Sequence, residues 1–289
     1  MTKFLAVTNR RGGVGKTTTT LMLAYGMAVY GQKSVLVVDL DAQASTSSTL
    51  MGHEKWDEAR QNGRTVGDIL IEVYGEGPVN LSPYISSEVG DVHINPGQVA
   101  PQIDALPCAF TLDDRELELI YHFASQYSTL EKMYSTVRKR IAEIFRSLNG
   151  MYDIIIFDCP PGLSNVAWGA LQAVDYAIIP YIPDRTAEDN IGWLASRLLE
   201  HNRSLQYRVL ANRFQSKSGL MHGVSGSVNH SYASLGLVIP MQMALSKALE
   251  YEVNTQTINQ KFGVGVGAVR GLYTAAHEWI YHPRMERVA

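Results

Sequence analysis

The sequence is poor in cysteine and contains no long hydrophobic run. Its two cysteines, Cys108 and Cys159, are too few for a disulfide framework or a cysteine-ligated metal cluster. We therefore expect the protein to reside in a reducing cytoplasm and both of its thiols to be structural. The longest uncharged apolar stretches, such as 35–38 and 154–157, are far shorter than the ~20 residues that span a bilayer. A strand-like segment begins almost at the first residue, so we expect no signal peptide.

The chain also lacks a strong net charge, which argues against a globally basic nucleic-acid-binding protein. Its formal charge is −3, but the charges are unevenly distributed. Residues 197–289 hold 10 Lys and Arg against 5 Asp and Glu; from totals of 25 and 28, this leaves 15 against 23 upstream. The C-terminal third is expected to present a basic face. Chance scatter of surface charges is the alternative.

Glycine is concentrated where it can bind phosphate. Residues 9–20 read Asn-Arg-Arg-Gly-Gly-Val-Gly-Lys-Thr-Thr-Thr-Thr, between the apolar run 4–7 and a helix-compatible segment that ends near Gly31. We refer to residues 9–17 as the phosphate loop, because its glycines let backbone N–H groups converge on an anion at the positive end of a helix. Lys16 supplies charge for the β and γ phosphates, and Thr17 a hydroxyl for magnesium. The predicted nucleotide contacts are Gly12, Gly13, Val14, Gly15, Lys16, Thr17 and Thr18.

Two further apolar runs end in carboxylates. The run 35–38 is followed by Asp39 and Asp41, whose side chains point to the same side of an extended chain. One can hold magnesium or its waters while the other orients an attacking water, although a pair of surface aspartates is the alternative. The four apolar residues 154–157 are followed by Asp158, a pattern typical of a Walker B strand whose carboxylate binds the magnesium shell directly or through water.

Strand and helix patterns alternate along the rest of the chain. The predicted strands are 92–95, 176–180, 207–211 and 235–239, and the predicted helices are 66–73, two within 112–148 with a capping-box pattern at Ser128, 187–201 and 268–281. This alternation predicts an α/β fold with a doubly wound, mostly parallel sheet flanked by helices. We expect one P-loop ATPase domain over 1–289, with a variable helical and loop region at about 50–150.

These motifs resemble the ParA/Soj-type partition ATPases, which are deviant Walker A members of the ParA and MinD group. The resemblance rests on four segments and spans most of the chain, while 50–150 matches only in outline. Asp-Leu-Asp-x-Gln and Asp-Cys-Pro-Pro look like ParA rather than MinD. The segments are RGGVGKTT at 11–18, VLVVDLDAQ at 35–43, YDIIIFDCPP at 152–161, and the strand ends near 211 and 239.

The resemblance implies a slow, partner-stimulated ATP hydrolase that uses Mg²⁺. It implies an ATP-dependent homodimer that binds DNA without sequence preference, works with a ParB-like partner and stays in the cytoplasm at the nucleoid, with no membrane association. Asn212 and the backbone after Pro240 would lie beside the adenine. Asp41 would position the attacking water, and Thr17, Asp39 and Asp158 would surround the metal.

One position departs from the family. Arg11 stands where the family carries a signature lysine that reaches across the dimer to the partner's phosphate. A guanidinium also binds phosphate, but its planar fork differs from an ammonium in length and shape. This departure leaves three alternatives. Arg11, or Arg10, acts in trans like an arginine finger; hydrolysis is slowed while nucleotide-dependent dimerisation is kept; or the loop is only locally reshaped.

The resemblance also suggests a DNA-binding residue. Lys217 lies near where the family places a DNA-contacting basic side chain, with Arg197, Arg203 and Arg270 as less certain companions. Solvated surface charge is the alternative for each. Since the chain starts at the first strand, we expect no N-terminal helix-turn-helix domain.

The sequence motifs are compatible with four other functions to different degrees. The cargo could be a protein assembly, such as a carboxysome or a chemotaxis cluster, instead of DNA. A MinD-like membrane ATPase is disfavoured because 277–284 lacks a basic amphipathic tail. An electron carrier related to nitrogenase reductase would need paired cluster cysteines. The last alternative is a catalytically inactive, nucleotide-gated binding module.

Overall fold

The apolar runs of the sequence form the centre of a parallel sheet. The computed structural model describes residues 1–75, 77–93, 102–162, 164–254 and 256–283. In these ranges, seven strands make one sheet and two short strands make a separate parallel pair. The strands are β1 (Lys3–Val7), β2 (Val35–Asp39), β3 (Val92–His93), β4 (Ile103–Leu106), β5 (Ile154–Asp158), β6 (Tyr176–Tyr181), β7 (Gln206–Phe214), β8 (Ser234–Pro240) and β9 (Gln256–Thr257).

The strand order brings the motif-bearing strand ends together. The large sheet runs β4-β2-β5-β1-β6-β7-β8, and every pairing in it is parallel. Every residue of β2 and β5 is buried, as expected for strands covered on both faces. Asp158 is in register with both Val7 and Asp39. The carboxyl ends of β1, β2 and β5 therefore meet at one edge, which we call the carboxyl edge.

Helices cover both faces of the large sheet. They are α1 (Lys16–Val29), α2 (Ser45–Gln61), α3 (Val66–Ile69), α4 (Leu112–Ala124), α5 (Leu130–Arg146), α6 (Asn165–Ala173), α7 (Ala187–His201), α8 (Gly219–Ser231), α9 (Met243–Lys247), α10 (Ile258–Phe262) and α11 (Val266–Tyr281). Helices α1 and α11 pack together on one face, while α5 to α8 pack in sequence on the other. Right-handed crossovers that run one way from β1 to β2 and the other way from β5 through β6 and β7 to β8 require this division. The predicted doubly wound parallel sheet is confirmed.

Several element boundaries differ from the sequence-based prediction. The N-cap of α5 is Thr129, one residue after the predicted Ser128, because Thr129 is extended and accepts a hydrogen bond from the Lys132 N–H. Strand β7 continues to Phe214, three residues beyond the prediction. Of the predicted strand 92–95, Val92 and His93 form β3, and 94–95 lie outside the described residues.

A buried ion pair joins the small parallel pair to the rest of the molecule. Lys261 donates to the Asp91 carboxylate at 2.6 Å, and both side chains are almost fully buried. Asp91 also accepts from the Tyr25 hydroxyl at 2.7 Å and from the Glu252 N–H at 3.0 Å. This cluster fixes the segment that follows α9 against α1.

Helix α2 bends at Gly52. This residue has φ +70° and ψ 165°, a conformation that favours glycine, and the ring of Tyr251 packs against it. A Cβ at this position would lie 2.7 Å from the Tyr251 ring. The first turns of α2 therefore stand at an angle to the remainder. In the described part of the chain, no helix combines the length and apolarity needed to cross a membrane.

Candidate nucleotide-binding site

A large cleft opens at the carboxyl edge of the sheet. Its volume is about 1210 Å³, and its walls come from the phosphate loop, the end of β7 and the segment after β8. The lining includes Gly12, Gly13, Gly15, Lys16, Thr17, Thr18, Asp41, Asn212, Lys217 and Pro240. Nucleotides bind at this position in open parallel sheets, where successive strands are connected in opposite directions. The structure thus brings all of the predicted nucleotide contacts to one cavity except Val14, which is buried and does not line it.

The phosphate loop has a backbone that depends on glycine. Gly13 and Gly15 have φ values of +73° and +87°. A Cβ on Gly15 would lie only 2.3 Å from the side-chain nitrogen of Asn212. That nitrogen donates to the Val14 carbonyl at 3.0 Å. The predicted adenine-proximal residue therefore already holds the back of the phosphate loop.

Helix α1 begins directly after this turn and places a cation beside the loop. Lys16 is its first residue, only 7% exposed, and its ammonium donates to the Arg11 carbonyl at 3.3 Å. Burial lowers the pKa of Lys16, while the negative charges of Asp158 and Asp41 oppose that shift. The ammonium thus lies between carboxylates and the loop, where it can neutralise phosphate.

Asp158 is the centre of a hydroxyl cluster. It is 1% exposed and accepts from Thr17 at 2.8 Å, from Thr46 at 2.5 Å and from Thr20 at 3.2 Å. Thr17 is at the start of α1, and Thr46 is in the first turn of α2. The cluster consequently ties both helices to the end of β5.

Asp39 is equally buried, and its carboxylate faces the backbone of α2. It accepts from the Ser47 N–H at 2.9 Å and hydroxyl at 2.6 Å, and from the Asp41 N–H at 3.1 Å. Burial and the nearby Asp158 raise the pKa of Asp39 to about 7. Burial likewise raises the pKa of Asp158, against hydrogen bonds from Thr46 and Thr17. Two buried carboxyls at one site are therefore poised to accept a cation.

Asp41 differs from the other two aspartates because it lines the cavity. It is half-buried, and its carboxylate accepts from the Gln43 N–H at 3.0 Å. The hydrogen bond holds the carboxylate at the cavity wall. A carboxylate there is able to accept a hydrogen bond from a water molecule in the cavity.

These oxygen groups suit magnesium. Magnesium prefers hard oxygen ligands and is commonly held by one or two carboxylates together with substrate phosphates and waters. Among the residues that the structure describes, no group of three His, Cys, Asp or Glu side chains is placed to hold a metal alone. The Thr17 hydroxyl and the Asp158 carboxylate would hold the ion jointly with phosphate, and Asp39 would lie behind them.

The two arginines of the phosphate loop lie outside the cavity wall. The Arg11 guanidinium pairs with Asp184, just before α7. Arg10 stacks on Trp193 of α7, with its guanidinium carbon 4.6 Å from the ring centre. Both side chains therefore extend toward α7. Neither lines the cleft.

The four basic residues predicted to bind DNA lie on different elements. Lys217 is exposed and lines the cleft between β7 and α8. Arg197 is on α7 and Arg270 on α11, so they lie on opposite faces of the sheet. Arg203 precedes β7, at the edge opposite the cleft. One protomer does not present these four side chains as one patch, and DNA binding by each stays a prediction.

Two features of the site were not predicted from the sequence. Thr46 and Ser47 hold the two buried aspartates, and Arg213 donates to the Gly13 carbonyl at 3.1 Å. The hydroxyl-rich stretch Ser45-Thr46-Ser47-Ser48-Thr49, directly after the Asp41 motif, was the available signal. Arg213 has φ +50°, an unusual conformation for a non-glycine residue, and no sequence pattern indicates it.

A parallel sheet with a glycine-rich loop after its central strand, a lysine at the helix start and aspartates at the ends of β5 and β2 defines the class of P-loop nucleotide-binding proteins. More specifically, the chain belongs to the AAA domain family, whose model matches residues 2–209.

Named relatives agree with this assignment. Soj of Bacillus subtilis, a sporulation initiation inhibitor protein, is 31% identical over 180 residues, 62% of this chain and 58% of its own length. The match therefore spans less than two thirds of Soj. The chromosome partitioning protein ParA of Caulobacter vibrioides is 26% identical over 254 residues, 85% of this chain and 83% of its own. The resemblance to the ParA/Soj-type ATPases is confirmed.

Solved structures share the fold. Cobyrinic acid a,c-diamide synthase of Mycobacterium smegmatis, with bound ADP and magnesium, superposes with a TM-score of 0.70 at 22% identity, covering 98% of this chain and 97% of its own. A plasmid partition protein of Borrelia burgdorferi bound to AMPPNP has a TM-score of 0.69 at 19% identity, with coverages of 97% and 100%. At these identities the likeness shows the fold alone.

Proposed function

We propose that this protein is a magnesium-dependent ATP hydrolase that dimerises around ATP and partitions DNA. One observation carries the proposal: Lys16, Thr17 and Asp41 line a single cleft with the phosphate loop, and the buried Asp158 accepts a hydrogen bond from Thr17. A structural turn would not need a buried ammonium beside buried carboxylates. The similarity to ParA and Soj supports the partition role, and we take 1–289 to act as one ATPase domain.

The chain's own residues divide the catalytic work. The loop N–H groups and Lys16 would bind the β and γ phosphates, and Asn212 with the backbone after Pro240 would face the base. Magnesium, when bound by Thr17 and Asp158, would neutralise charge on the phosphate oxygens. Asp41 would then accept a hydrogen bond from the attacking water and direct it at the γ phosphate.

Arg11 is proposed to complete the site of a second protomer. Its side chain is 43% exposed, pairs with Asp184 and does not line its own cavity. A guanidinium that enters from a partner can neutralise charge in the transition state, as arginine fingers do. ATP would therefore stabilise the dimer, and hydrolysis would release it.

The first experiment tests the ATPase proposal. Phosphate release and ATP binding are measured with and without MgCl₂ for wild type, Lys16→Ala and Asp41→Ala. We expect Lys16→Ala to lose ATP binding, and Asp41→Ala to bind ATP and dimerise while hydrolysis falls by about 100-fold or more. An Asp41→Ala variant with wild-type turnover contradicts the assigned role, and a wild type that binds ATP but never hydrolyses it indicates a nucleotide-gated binding module.

DNA binding is proposed at the surface that carries Lys217. Phosphate contacts make such binding strongly salt-dependent. We expect the ATP-bound protein to retain non-specific duplex DNA in a mobility-shift assay, with a weaker salt dependence in Lys217→Ala. Lys132→Ala, on the exposed face of α5, is the matched control. Equal retention by wild type and Lys217→Ala at every salt concentration would remove Lys217 from the DNA surface.

The cargo and location follow from the same proposal. We propose a cytoplasmic, nucleoid-associated protein that works with a ParB-like partner or, alternatively, with an adaptor on a protein cargo. A fluorescent fusion should coincide with the nucleoid. Pelleting with liposomes in the presence of ATP tests the MinD-like alternative, and we expect the protein to stay in the supernatant.

A further inference from the structure

Helix α7 carries an exposed stripe with an aromatic side chain at its centre. Asp189, Trp193 and Arg197 are all exposed and follow one another at four-residue intervals, so they lie along one side of the helix. Trp193 is 40% exposed, whereas Trp56, Trp168 and Trp279 are at most 9% exposed. We call Asp189, Trp193 and Arg197 the α7 stripe.

The stripe is continuous with the front of the phosphate loop. Arg10 of the loop stacks on the Trp193 ring at 4.6 Å, and Arg197 approaches the same ring at 5.8 Å. Arg11 is tied by Asp184 to the segment that precedes α7. A protein that docks against the loop from outside would therefore also meet the α7 stripe.

We infer that the α7 stripe is a contact surface for a second copy of this chain, with the two α7 helices antiparallel and each Trp193 next to a two-fold axis. This inference rests on the ATP-dependent dimer proposed above and names the surface that forms it. The axis would pass close to both phosphate loops, since Arg10 already connects the loop to Trp193.

The order of charges is the reason for choosing a second copy. A carboxylate lies four residues before the tryptophan and a guanidinium four residues after it, so the charges are about 12 Å apart along the helix axis. A two-fold axis at Trp193 reverses the direction of the second helix and places Asp189 of one protomer opposite Arg197 of its partner, twice. The stripe is thus complementary to itself.

The alternative occupant, DNA, fits the stripe less well. Arg197 alone would suit phosphate, but Asp189 on the same side would repel it. Arg197 pairs with Glu200 at 2.8 Å within its own chain. Because such an exposed pair is weak, Arg197 can exchange Glu200 for the partner's Asp189 at little cost. The aromatic centre is typical of a protein interface, where tryptophan is enriched.

Tryptophan fluorescence measures the burial of the stripe directly. Iodide quenching is recorded for wild type and Trp193→Phe, each without nucleotide and with AMPPNP and MgCl₂. We expect the nucleotide to reduce the quenchable signal of wild type by about half or more, because an interface core excludes water. Trp193→Phe should show no such change. Undiminished quenching in a wild-type dimer, demonstrated by light scattering, overturns the inference.

A charge exchange tests the antiparallel arrangement. Asp189→Arg and Arg197→Asp should each weaken AMPPNP-dependent dimerisation by about fivefold or more, since each turns two attractive pairs into repulsive ones. The double variant restores both pairs and should dimerise within about threefold of wild type, while Lys132→Asp on α5 should behave like wild type.

The outcomes separate the inference from the function on which it rests. If wild type dimerises and both single variants do so equally well, or if the double variant is no better than the single ones, the α7 stripe is not the interface and the proposed function survives. If wild type binds AMPPNP and remains monomeric, both fail. Loss of DNA retention in Arg197→Asp with unchanged dimerisation assigns the stripe to DNA and overturns the inference.

Discussion

Replacement of Arg11 separates a structural from a catalytic role of the phosphate loop. The side chain makes an ion pair with Asp184, and the two side chains are 43% and 30% exposed. Burial acts to raise the pKa of Asp184, but hydrogen bonds from Arg11 and Thr186 outweigh it and hold that pKa below its ordinary value. Exposed pairs of this kind contribute about 0.2–1 kcal/mol to stability. Arg11→Ala should therefore lower Tm by no more than about 2 °C.

The effect on hydrolysis should be far larger. An arginine that reaches the partner's phosphate accelerates hydrolysis by about 10³–10⁵-fold. We expect Arg11→Ala to lose about 1000-fold in ATP turnover while it still binds ATP, because Arg11 does not line its own cavity. Arg11→Lys keeps the charge and should stay within about tenfold of wild type, since an ammonium also donates to phosphate.

The assay combines phosphate release, light scattering with AMPPNP, and thermal unfolding on the same preparations. Arg185→Ala is the matched control, because Arg185 is an exposed arginine beside Asp184 with no assigned role. An Arg11→Ala protein that hydrolyses ATP and dimerises like wild type refutes the reasoning. So does a large loss of Tm, which would show that the ion pair has a structural role.

Three further predictions test the packing around the site. Lys261→Met leaves the Asp91 carboxylate buried without its cation, so the free energy of unfolding in urea should fall by about 3–5 kcal/mol. Adding Asp91→Leu removes the buried charge and should recover part of that loss. Equal losses in the single and the double variant would show that the ion pair is not responsible. Gly15→Ala combines φ +87° with a 2.3 Å clash, and should weaken ATP binding in calorimetry by about tenfold or more. Gly150→Ala, at φ +93° with open space, should lose stability but not affinity. Because the pKa of Asp39 is raised to about 7, the nucleotide-free protein should lose stability as pH rises from the ordinary value of 3.8 to about 7. The Tm of Asp39→Asn minus that of wild type should therefore increase across this window, and a constant difference would contradict the cause.

The central strands were predictable because their environment is uniform. Strands buried on both faces need only a short apolar β-branched run, and Asp39 and Asp158 mark where such runs end. Parallel pairing of these strands then brings the two ends together, so no long-range contact has to be known in advance. The phosphate loop was predictable for a similar reason, since its glycines are required by local backbone geometry.

Other elements depend on contacts that no local pattern records. Helix α2 is polar in its first turn, starts after Ala44 in a left-handed conformation, and bends at Gly52, so it has no regular apolar face. Strand β4 has only four residues and includes Asp104, whose burial is made possible by a hydrogen bond from the Tyr152 hydroxyl at 2.6 Å. The directions of Arg10 and Arg11 are set by Trp193 and Asp184, more than 170 residues away in sequence.

The hydrogen bonds behind the phosphate loop have a consequence for how a nucleotide is recognised. Asn212 and Arg213 lie near the end of β7 and line the cleft, yet they donate to the carbonyls of Val14 and Gly13. In the proposed nucleotide site, the wall near the base and the wall near the triphosphate would therefore be one hydrogen-bonded unit. These hydrogen bonds are already formed in the structure, so the two walls hold each other in place. A nucleotide in the proposed site would therefore bind a cleft whose two walls are preorganised, at a smaller ordering cost than two independent walls would impose.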